Sequence, residues 1–349
     1  MRKHYIDNLR SLTILLLFPV HTLMIWNDFG NRFYIWMGEN RLLSTLIISV
    51  NPWFMPLLFV LAGMSARYSL EKRTVRGYIL QRTQKLLLPF ILGVLLLVPL
   101  QTFYARRFFD AYAGGLLENW RYFFTHLTDF SGYDGAFTPG HLWFILFLFL
   151  ISMISLPLFK YIPDQKAAEK IEKMSIWGIA SLSIPLWIMY HIGNFGGFSI
   201  GKDLTLYLLG YYVISNNAVM ETMEKNRRGL VISWCLGTGA LVVLYYRFHY
   251  YGDLWIDLIG WICILTLLVL GKKYLDRTCR LLRSLNSASY PIYILHQTIL
   301  VALAYYIAQL HTKIPIQISL ICMGTFILTI LAYHLIRRIP VVRKIIGIR

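Results

Sequence analysis

The sequence predicts an all-α, polytopic membrane protein of about ten transmembrane helices, with both termini in the cytoplasm. Hydrophobic residue types make up 57% of the chain and charged types 15%, whereas a soluble domain carries about 25% charged residues. The apolar residues form runs close to the roughly 20 residues that a helix needs to cross a bilayer. The basic residues lie in the short connections between these runs. We therefore expect a single membrane-embedded domain over residues 1–349.

Ten apolar runs are candidate membrane spans, and the sequence shows no linker, low-complexity stretch or internal repeat between them. The runs cover residues 10–27, 44–66, 86–104, 141–160, 175–192, 202–219, 229–247, 254–271, 290–310 and 315–336. The sixth run is the least typical, because it begins at Lys202 and Asp203. Residues 1–10 lead directly into the first run, and no small-residue cleavage site follows. The first run is therefore predicted to be an uncleaved span and not a signal peptide.

The positions of the basic residues predict the orientation. An even number of spans places both termini on one side of the membrane. If that side is the cytoplasm, the inside segments are 1–10, 67–85, 160–174, 220–228, 272–289 and 337–349. These segments hold 26 of the 34 Lys and Arg residues, which is the bias that cytoplasmic loops show. The same bias accounts for the formal net charge of +17, so we do not predict nucleic-acid binding.

The first span carries two polar residues, Arg10 and His21, that are eleven positions apart. Eleven helical steps of about 100° make three turns plus about 20°, so both side chains share one helix face about 16 Å apart. Arg10 would lie at the cytoplasmic edge and His21 near the middle of the membrane. An ionisable residue at that depth usually faces a cavity or a partner; the alternative is a packed, hydrogen-bonded histidine beside Pro19.

The chemistry of these two side chains suggests a long anionic co-substrate. A histidine can take a proton from a hydroxyl and return it near neutral pH. An arginine at the membrane edge can hold a phosphate. Together they fit a molecule such as an acyl-coenzyme A, which enters from the cytoplasm with its thioester reaching His21.

Basic residues in the loop after the second span are candidates for the same co-substrate. Arg76, Arg82 and Lys85 lie there, and Arg82 and Lys85 are three residues apart, so they are neighbours if this segment is helical. Both lie where the third span enters the membrane. They either bind phosphate or belong to the ordinary positive charge of an inside loop.

Two further blocks carry polar or aromatic residues at span positions. His141 and Trp143 open the fourth span on the outer side, where they either contact an acceptor or belong to the interfacial aromatic belt. Tyr290 and His296 lie in the ninth span and either line a site or satisfy each other between helices. The outer segment 105–140 is either an interfacial aromatic segment or part of the wall of an acceptor site.

Several of these blocks occur together, and their combination is more specific than any one of them. They are Asp7-Asn8-Leu9-Arg10 with His21, Phe59-Val60-Leu61-Ala62-Gly63, Arg82 and Lys85-Leu86 with Pro89, His141-Leu142-Trp143-Phe144, and Ser289-Tyr290-Pro291-Ile292-Tyr293-Ile294-Leu295-His296. Nearly end to end, the chain thus resembles the acyltransferase type 3 family of bacterial membrane proteins. The ending Arg338-Ile339-Pro340-Val341-Val342-Arg343 looks most like the branch that modifies periplasmic glucans.

The resemblance implies an O-acyltransferase of the bacterial cytoplasmic membrane. It implies transfer of an acyl group, acetyl or succinyl, from cytoplasmic acyl-coenzyme A to a hydroxyl of an extracytoplasmic or lipid-linked carbohydrate. It also implies essential roles for Arg10 and His21 and places Arg82 and Lys85 near the donor. The chain departs from the family pattern at Lys85, where an arginine is usual, and at Ala62, where a serine is common. A lysine there loses bidentate phosphate binding.

No permanently bound cofactor and no metal are expected, because paired ligands at metal spacing are not found in the sequence. The four cysteines form no C-x-x-C pair, so we expect them to be small buried hydrophobic residues. Two other functions remain open. A transporter or flippase would show inverted repeats and broken helices around a midplane site, and no such halves are seen. A non-catalytic membrane partner of polysaccharide assembly is the other alternative.

Overall fold

The computed structural model of the protein describes residues 3–29, 33–161, 169–195, 198–310 and 312–339. Most of these residues are helical. The helices are α1 (His4–Leu15), α2 (Leu17–Leu23), α3 (Arg41–Leu70), α4 (Val75–Arg82), α5 (Leu88–Leu96), α6 (Val98–Phe109), α7 (Leu116–Thr125), α8 (Trp143–Tyr161), α9 (Ile176–Ala180), α10 (Ser183–Tyr190), α11 (Ile200–Leu209), α12 (Asn217–Lys225), α13 (Arg227–Phe248), α14 (Asp253–Leu275), α15 (Arg280–Ala308) and α16 (Ile314–Ile336). Strands β1 (Asn194–Phe195) and β2 (Phe198–Ser199) pair antiparallel.

Eight helical segments within the described ranges are long and apolar enough to cross a membrane. They are His4–Trp26, Arg41–Leu70, Val75–Phe109, Gly140–Phe159, Arg227–Phe248, Asp253–Leu275, Arg280–Ala308 and Ile314–Ile336. Each overlaps one of the runs that the sequence marks as a span, so the prediction of an all-α, multi-pass membrane protein is confirmed. The fifth and sixth predicted spans correspond to shorter helices, α9 with α10, and α11 with the π-helical turn Gly210–Ile214. The count of ten spans and the orientation stay predictions.

The chain forms two compact units, each built from separate stretches of sequence. Unit 1 comprises Met1–Thr13, Ile48–Arg82 and Phe147–Leu282, and unit 2 comprises Ile14–Ile47, Thr83–Leu146 and Arg283–Arg349. The expectation of one membrane-embedded domain stays a prediction.

Glycines bring two helices of unit 1 into backbone contact. A Cβ atom on Gly63 of α3 would lie 2.0 Å from the carbonyl oxygen of Tyr207 in α11, and a Cβ atom on Gly210 would lie 2.2 Å from the carbonyl oxygen of Val60. Small residues at such contacts let membrane helices approach closely, so that dispersion forces hold them together. The Tyr207 hydroxyl then bonds that of Tyr78 at 2.8 Å. This bond ties α4, which carries Arg76 and Arg82, to the same packed pair.

Polar contacts hold the start of α1 within unit 1. The Asn8 side-chain amide donates to the carbonyl oxygens of Leu275 at 2.7 Å and Arg277 at 2.8 Å. The carboxylate of Asp276 accepts the backbone N–H of Tyr5 at 3.2 Å. Asn8 is 1% exposed, so these bonds satisfy an amide that would otherwise be costly to bury. The helix turn that presents Arg10 is therefore fixed by the end of α14.

In unit 2, a proline removes one hydrogen bond from a membrane helix, and a tryptophan side chain supplies the missing donor. Pro99 has no backbone N–H, so the carbonyl oxygen of Leu95 lacks its helical donor. The indole N–H of Trp120 in α7 donates to this oxygen at 2.9 Å. Next to it, the Asn119 side-chain amide donates to the carbonyl oxygen of Pro99 at 3.1 Å. Helix α7 is thus docked on α5 and α6.

Candidate functional site

Three histidines that are far apart in the sequence meet in unit 2. Nδ1 of His21 in α2 lies 3.1 Å from Nε2 of His296 in α15, and the two rings are nearly parallel, with an interplanar angle of 18° and centroids 5.1 Å apart. His141 lies edge-on to His296, with ring centroids 5.2 Å apart. We call these residues the histidine trio. The sequence marks each member separately, and the structure brings all of them together.

The members of the trio differ in their exposure to solvent. His296 is 0% exposed and His141 is 6% exposed, whereas His21 is only partly buried. His21 is therefore the least buried residue of the three. This order of burial agrees with the prediction that His21 carries the chemistry, although the role itself stays a prediction.

Backbone carbonyl groups of α15 hold the two buried histidines. Nδ1 of His296 lies 2.7 Å from the carbonyl oxygen of Tyr293, one helical turn earlier. Nε2 of His141 lies 2.9 Å from the carbonyl oxygen of Ile294. In the other direction, the Tyr293 hydroxyl donates to the carbonyl oxygen of His141. His141 and α15 are thus tied at two points, which fixes both rings.

The local sequence explains how His141 reaches α15. Gly140 has φ +54°, in the left-handed region that favours glycine. A Cβ atom there would also lie 3.2 Å from Val98. The glycine therefore allows the chain to turn tightly just before α8, in the 3-10 turn Gly140–Leu142. That turn places the His141 ring against α15.

Sequence reasoning missed two polar residues that support the trio. Gln101, which is fully buried, lies with its side-chain nitrogen 3.3 Å from Nδ1 of His141 and donates to Thr298 Oγ1 at 2.8 Å. The Thr298 hydroxyl donates to the carbonyl oxygen of Leu97 at 3.2 Å. Gln101 could have been identified as a candidate from the sequence, because it lies within a strongly apolar run and a polar side chain in a membrane span needs a partner.

A series of aromatic rings connects the trio to the segment 105–140, which the sequence predicts to lie on the outer side. The His21 ring has its centroid 6.1 Å from that of Phe33. Phe33 contacts Tyr34 edge-on at 5.7 Å, and Tyr34 contacts Tyr133 edge-on at 5.3 Å. Burial raises the pKa of Tyr133 to about 12, because a phenolate is costly away from water. Part of the predicted outer segment 105–140 is therefore packed in this unit and does not lie free on its surface.

Arg10 is held by two side chains of unit 1. Its Nη2 atom donates to Ser65 Oγ at 2.7 Å, and its Nη1 atom donates to Asp7 Oδ1 at 3.1 Å. The Arg10 side chain is still 33% exposed, so solvent or a ligand reaches it. Arg10 lies in unit 1 and His21 in unit 2, and the expectation that one donor molecule extends from Arg10 to His21 stays a prediction.

The predicted phosphate-binding residues lie on one helical run with a π-helical turn. Arg76 is exposed, and the guanidinium of Arg82 lies 4.8 Å above the ring of Tyr78. Lys85 is exposed within the turn Thr83–Leu87. Such turns are rare and often occur at functional sites. Binding of a donor by these three residues stays a prediction.

The two remaining predicted residues have contacts that shape unit 2. The Tyr290 hydroxyl donates to the backbone carbonyl oxygen of Lys85, which holds the π-helical turn against α15. Trp143 is half-buried and lies edge-on to Phe144, with ring centroids 6.3 Å apart. Within the described part of the chain, no group of three or more His, Cys, Asp or Glu residues could hold a metal ion.

Comparison with protein families gives a match that is nearly as long as the chain. A model described as an acyltransferase domain matches residues 3–334. Comparison with curated proteins found no match, and comparison with solved structures found none either. The block Arg338–Arg343 lies beyond the matched residues, and residues 340–349 lie outside those that the structure describes. The glucan-modifying branch that this block suggests stays a prediction.

Proposed function

Because the matched family model covers nearly the entire chain, the protein belongs to the acyltransferase type 3 family and is a multi-pass membrane acyltransferase, and we propose that its donor is a cytoplasmic acyl-coenzyme A. The acyl group is acetyl or succinyl. The acceptor is a hydroxyl of an extracytoplasmic or lipid-linked carbohydrate, and a periplasmic glucan is the first candidate. The observation that carries the proposal is the meeting of His21 with two buried histidines, His296 and His141.

His21 acts as the general base in this proposal. As the acceptor oxygen attacks the thioester carbonyl carbon, its proton moves to the His21 imidazole. The carbon–sulfur bond then breaks, and the imidazole returns the proton to the leaving sulfur. The products are a carbohydrate ester and free coenzyme A. A histidine suits this exchange because its neutral and protonated forms are both accessible near pH 7.

Arg10, Arg76, Arg82 and Lys85 hold the phosphates of the donor in this proposal. Coenzyme A carries several negative charges, and guanidinium groups bind phosphate with paired hydrogen bonds. The contacts of Arg10 with Asp7 and Ser65 leave a third of its side chain exposed while limiting its motion. Its fork is thus oriented before a ligand arrives, which reduces the entropy lost on binding.

Trp143 and Tyr290 line the acceptor side of the site in this proposal, and the predicted site residues His141 and His296 support it through their contacts with each other and with His21. Tyr290 also contributes through its bond to the π-helical turn. Trp143 offers a half-buried ring of the kind that packs on a sugar face. Both termini would lie in the cytoplasm and the membrane would be the bacterial cytoplasmic membrane, consistent with the distribution of basic residues.

The test is release of free thiol from acetyl- or succinyl-coenzyme A by the purified protein in lipid. We expect slow release with donor alone and faster release when a glucan acceptor is added. His21→Ala should abolish release, while His334→Ala, which changes an exposed histidine of α16, should not. A transporter or a non-catalytic partner would release no thiol. Normal turnover by the His21→Ala variant would refute the assignment of the base.

A further inference from the structure

We infer that His296 is a positioning residue that fixes the tautomer of His21, so that Nε2 of His21 is the nitrogen that takes the acceptor's proton. The tautomer follows from the geometry alone. The last step, proton transfer, rests on the proposed function. The sequence left a site-lining role open for His296, whereas its complete burial and the hydrogen bonds at both of its ring nitrogens favour a positioning role.

The first step is the proton on His296. Its Nδ1 atom lies 2.7 Å from the carbonyl oxygen of Tyr293. A carbonyl oxygen can only accept a hydrogen bond, so Nδ1 of His296 must carry a hydrogen and donate it. The donor and the acceptor are one turn apart in the same helix, which keeps this bond in place while α15 remains folded.

The second step is the charge on His296. The ring is 0% exposed, and its hydrogen-bonding neighbours within the described residues are Nδ1 of His21 and the backbone of Tyr293 and Ile292. None of these neighbours is a carboxylate, so a charged imidazolium would be buried without a counter-ion, at high cost. His296 is therefore neutral, and its Nε2 atom carries a lone pair.

The third step transfers this constraint to His21. Nδ1 of His21 lies 3.1 Å from Nε2 of His296. Two lone pairs would repel each other at this distance, so Nδ1 of His21 must carry the hydrogen and donate it. A neutral imidazole has one N–H. Nε2 of His21 is consequently left with a lone pair, which is the form that a general base needs.

His141 completes the hydrogen-bond network, and both of its ring nitrogens bind groups other than His21 and His296. Its Nε2 atom donates to the carbonyl oxygen of Ile294 at 2.9 Å, and its Nδ1 atom accepts from the Gln101 side-chain amide at 3.3 Å. Five of the six ring nitrogens of the trio therefore have a partner in the described structure. The sixth is Nε2 of His21, the least buried residue of the three.

A direct test reads the tautomer by ¹⁵N NMR of the full-length protein, labelled on histidine and held in lipid nanodiscs. Signals of His21 are identified by their loss in His21→Ala. We expect the Nδ1–H form of His21 in the unmodified protein and loss of that preference in His296→Leu. An Nε2–H form in the unmodified protein would overturn the inference. The readout does not depend on catalysis, so it remains valid if the protein releases no thiol from any acyl-coenzyme A tested.

A kinetic test compares two replacements of His296. Leucine cannot accept the Nδ1–H of His21, whereas the side-chain oxygen of glutamine can. We expect His296→Leu to lower kcat by about 100-fold or more, the smaller end of what a positioned base contributes. His296→Gln should recover at least about a tenth of the original kcat, with KM for the donor little changed.

Controls separate positioning from folding. His334→Leu alters an exposed histidine and should leave kcat unchanged. Thermal unfolding is measured for all variants, because a purely structural role would lower kcat and thermal stability together. Equal kcat values for the leucine and glutamine variants, or a normal kcat for His296→Leu, would refute the positioning role. Absence of thiol release by the unmodified protein would refute the proposed function and leave the NMR result as the test of the tautomer.

Discussion

Arg10 donates to the hydroxyl of Ser65 at 2.7 Å, and that hydroxyl donates onward to the carbonyl oxygen of Leu61 at 2.7 Å. Ser65 therefore uses its proton within its own helix and offers a lone pair to the guanidinium. The serine fixes the direction of the arginine fork without carrying a charge of its own.

Ser65→Ala should weaken binding of acyl-coenzyme A because it frees the Arg10 fork to rotate. A hydrogen bond to a charged group contributes about 1.5–3 kcal/mol, and partial exposure of Arg10 favours the lower end. We expect KM for the donor to rise about tenfold, since 1.4 kcal/mol corresponds to a factor of ten. Donor titration of the thiol-release rate measures it. Arg10→Lys, which keeps the charge and loses the fork, should raise KM further. An unchanged KM in both variants would show that Arg10 does not bind the donor.

Gly63→Ala should prevent unit 1 from packing normally. The added Cβ would lie 2.0 Å from the carbonyl oxygen of Tyr207, and a backbone atom cannot move aside as a flexible side chain can. Overpacking typically costs about 1–3 kcal/mol, occasionally more, and we expect a large loss of folded protein in size-exclusion chromatography. The matched control is Gly239→Ala in α13, where the new Cβ meets nothing within 4 Å. Its thermal stability should rise slightly, and equal effects at both positions would contradict the close contact.

The ion pair between Lys202 and Asp257 should matter more for stability than an exposed pair in the same unit. Lys202 and Asp257 have side chains 17% and 4% exposed. Removing one partner from a buried pair costs roughly 3–5 kcal/mol because the other charge is left unpaired. Lys202→Met should therefore lower the thermal unfolding temperature strongly, and the double variant with Asp257→Leu should recover part of the loss.

The control for this prediction is the pair of Lys272 and Glu224, 2.9 Å apart with side chains 36% and 37% exposed. Exposed pairs contribute about 0–1 kcal/mol, so Lys272→Met should change the unfolding temperature little. Similar losses from Lys202→Met and Lys272→Met would show that burial does not distinguish the two pairs.

Trp120→Phe should destabilise the packing of α7 against α5. The phenyl ring keeps most of the apolar area but cannot donate to the carbonyl oxygen of Leu95. An acceptor left unpaired costs about 1–3 kcal/mol, and we expect about 1 kcal/mol because Trp120 is 40% exposed. Faster amide hydrogen exchange in α7 is the measurement. Trp177→Phe, at a residue 81% exposed, should leave exchange unchanged in α7. Unchanged exchange in Trp120→Phe would mean that the indole bond does not hold the helix.

The native cysteines allow a test of the predicted orientation. The expectation that all four cysteines are buried was wrong for Cys235 and Cys279, which are exposed. Cys279 is a free thiol between α14 and α15, in a segment that the charge distribution assigns to the cytoplasm. In a Cys235→Ser background, an impermeant maleimide should modify Cys279 in inside-out vesicles and not in right-side-out vesicles. Labelling only from the outer face would reverse the predicted orientation of the chain.

The helical, membrane-spanning character of the chain was predictable because it depends on composition and run length, which are local properties. The boundaries were less accurate. The third predicted span, 86–104, is part of the longer run Val75–Phe109. That run contains a π-helical turn near Lys85 and a break at Leu97. Both irregularities depend on contacts with other segments, so periodicity in the run does not reveal them.

The members of the histidine trio were predictable singly, because each histidine is an ionisable residue in or beside an apolar run. Their meeting was not, since His21 and His296 are 275 positions apart and only the packing of unit 2 brings them together. Gln101 was missed for a related reason. Its partners, His141 and Thr298, lie in other helices, and an isolated glutamine gives no sign of which side chains it will meet.

The bond between Trp120 and the carbonyl oxygen of Leu95 also limits how this protein can be recombined with its relatives. Helix α7 is a short segment that could be exchanged between relatives as a unit. Yet the carbonyl oxygen of Leu95, which has no helical donor because of Pro99, lies in the membrane helix, whereas the indole N–H that binds it comes from α7. A chimera that takes Pro99 without Trp120 leaves the carbonyl oxygen of Leu95 without a hydrogen-bond donor. Successful exchanges will therefore carry the proline and the tryptophan as a pair.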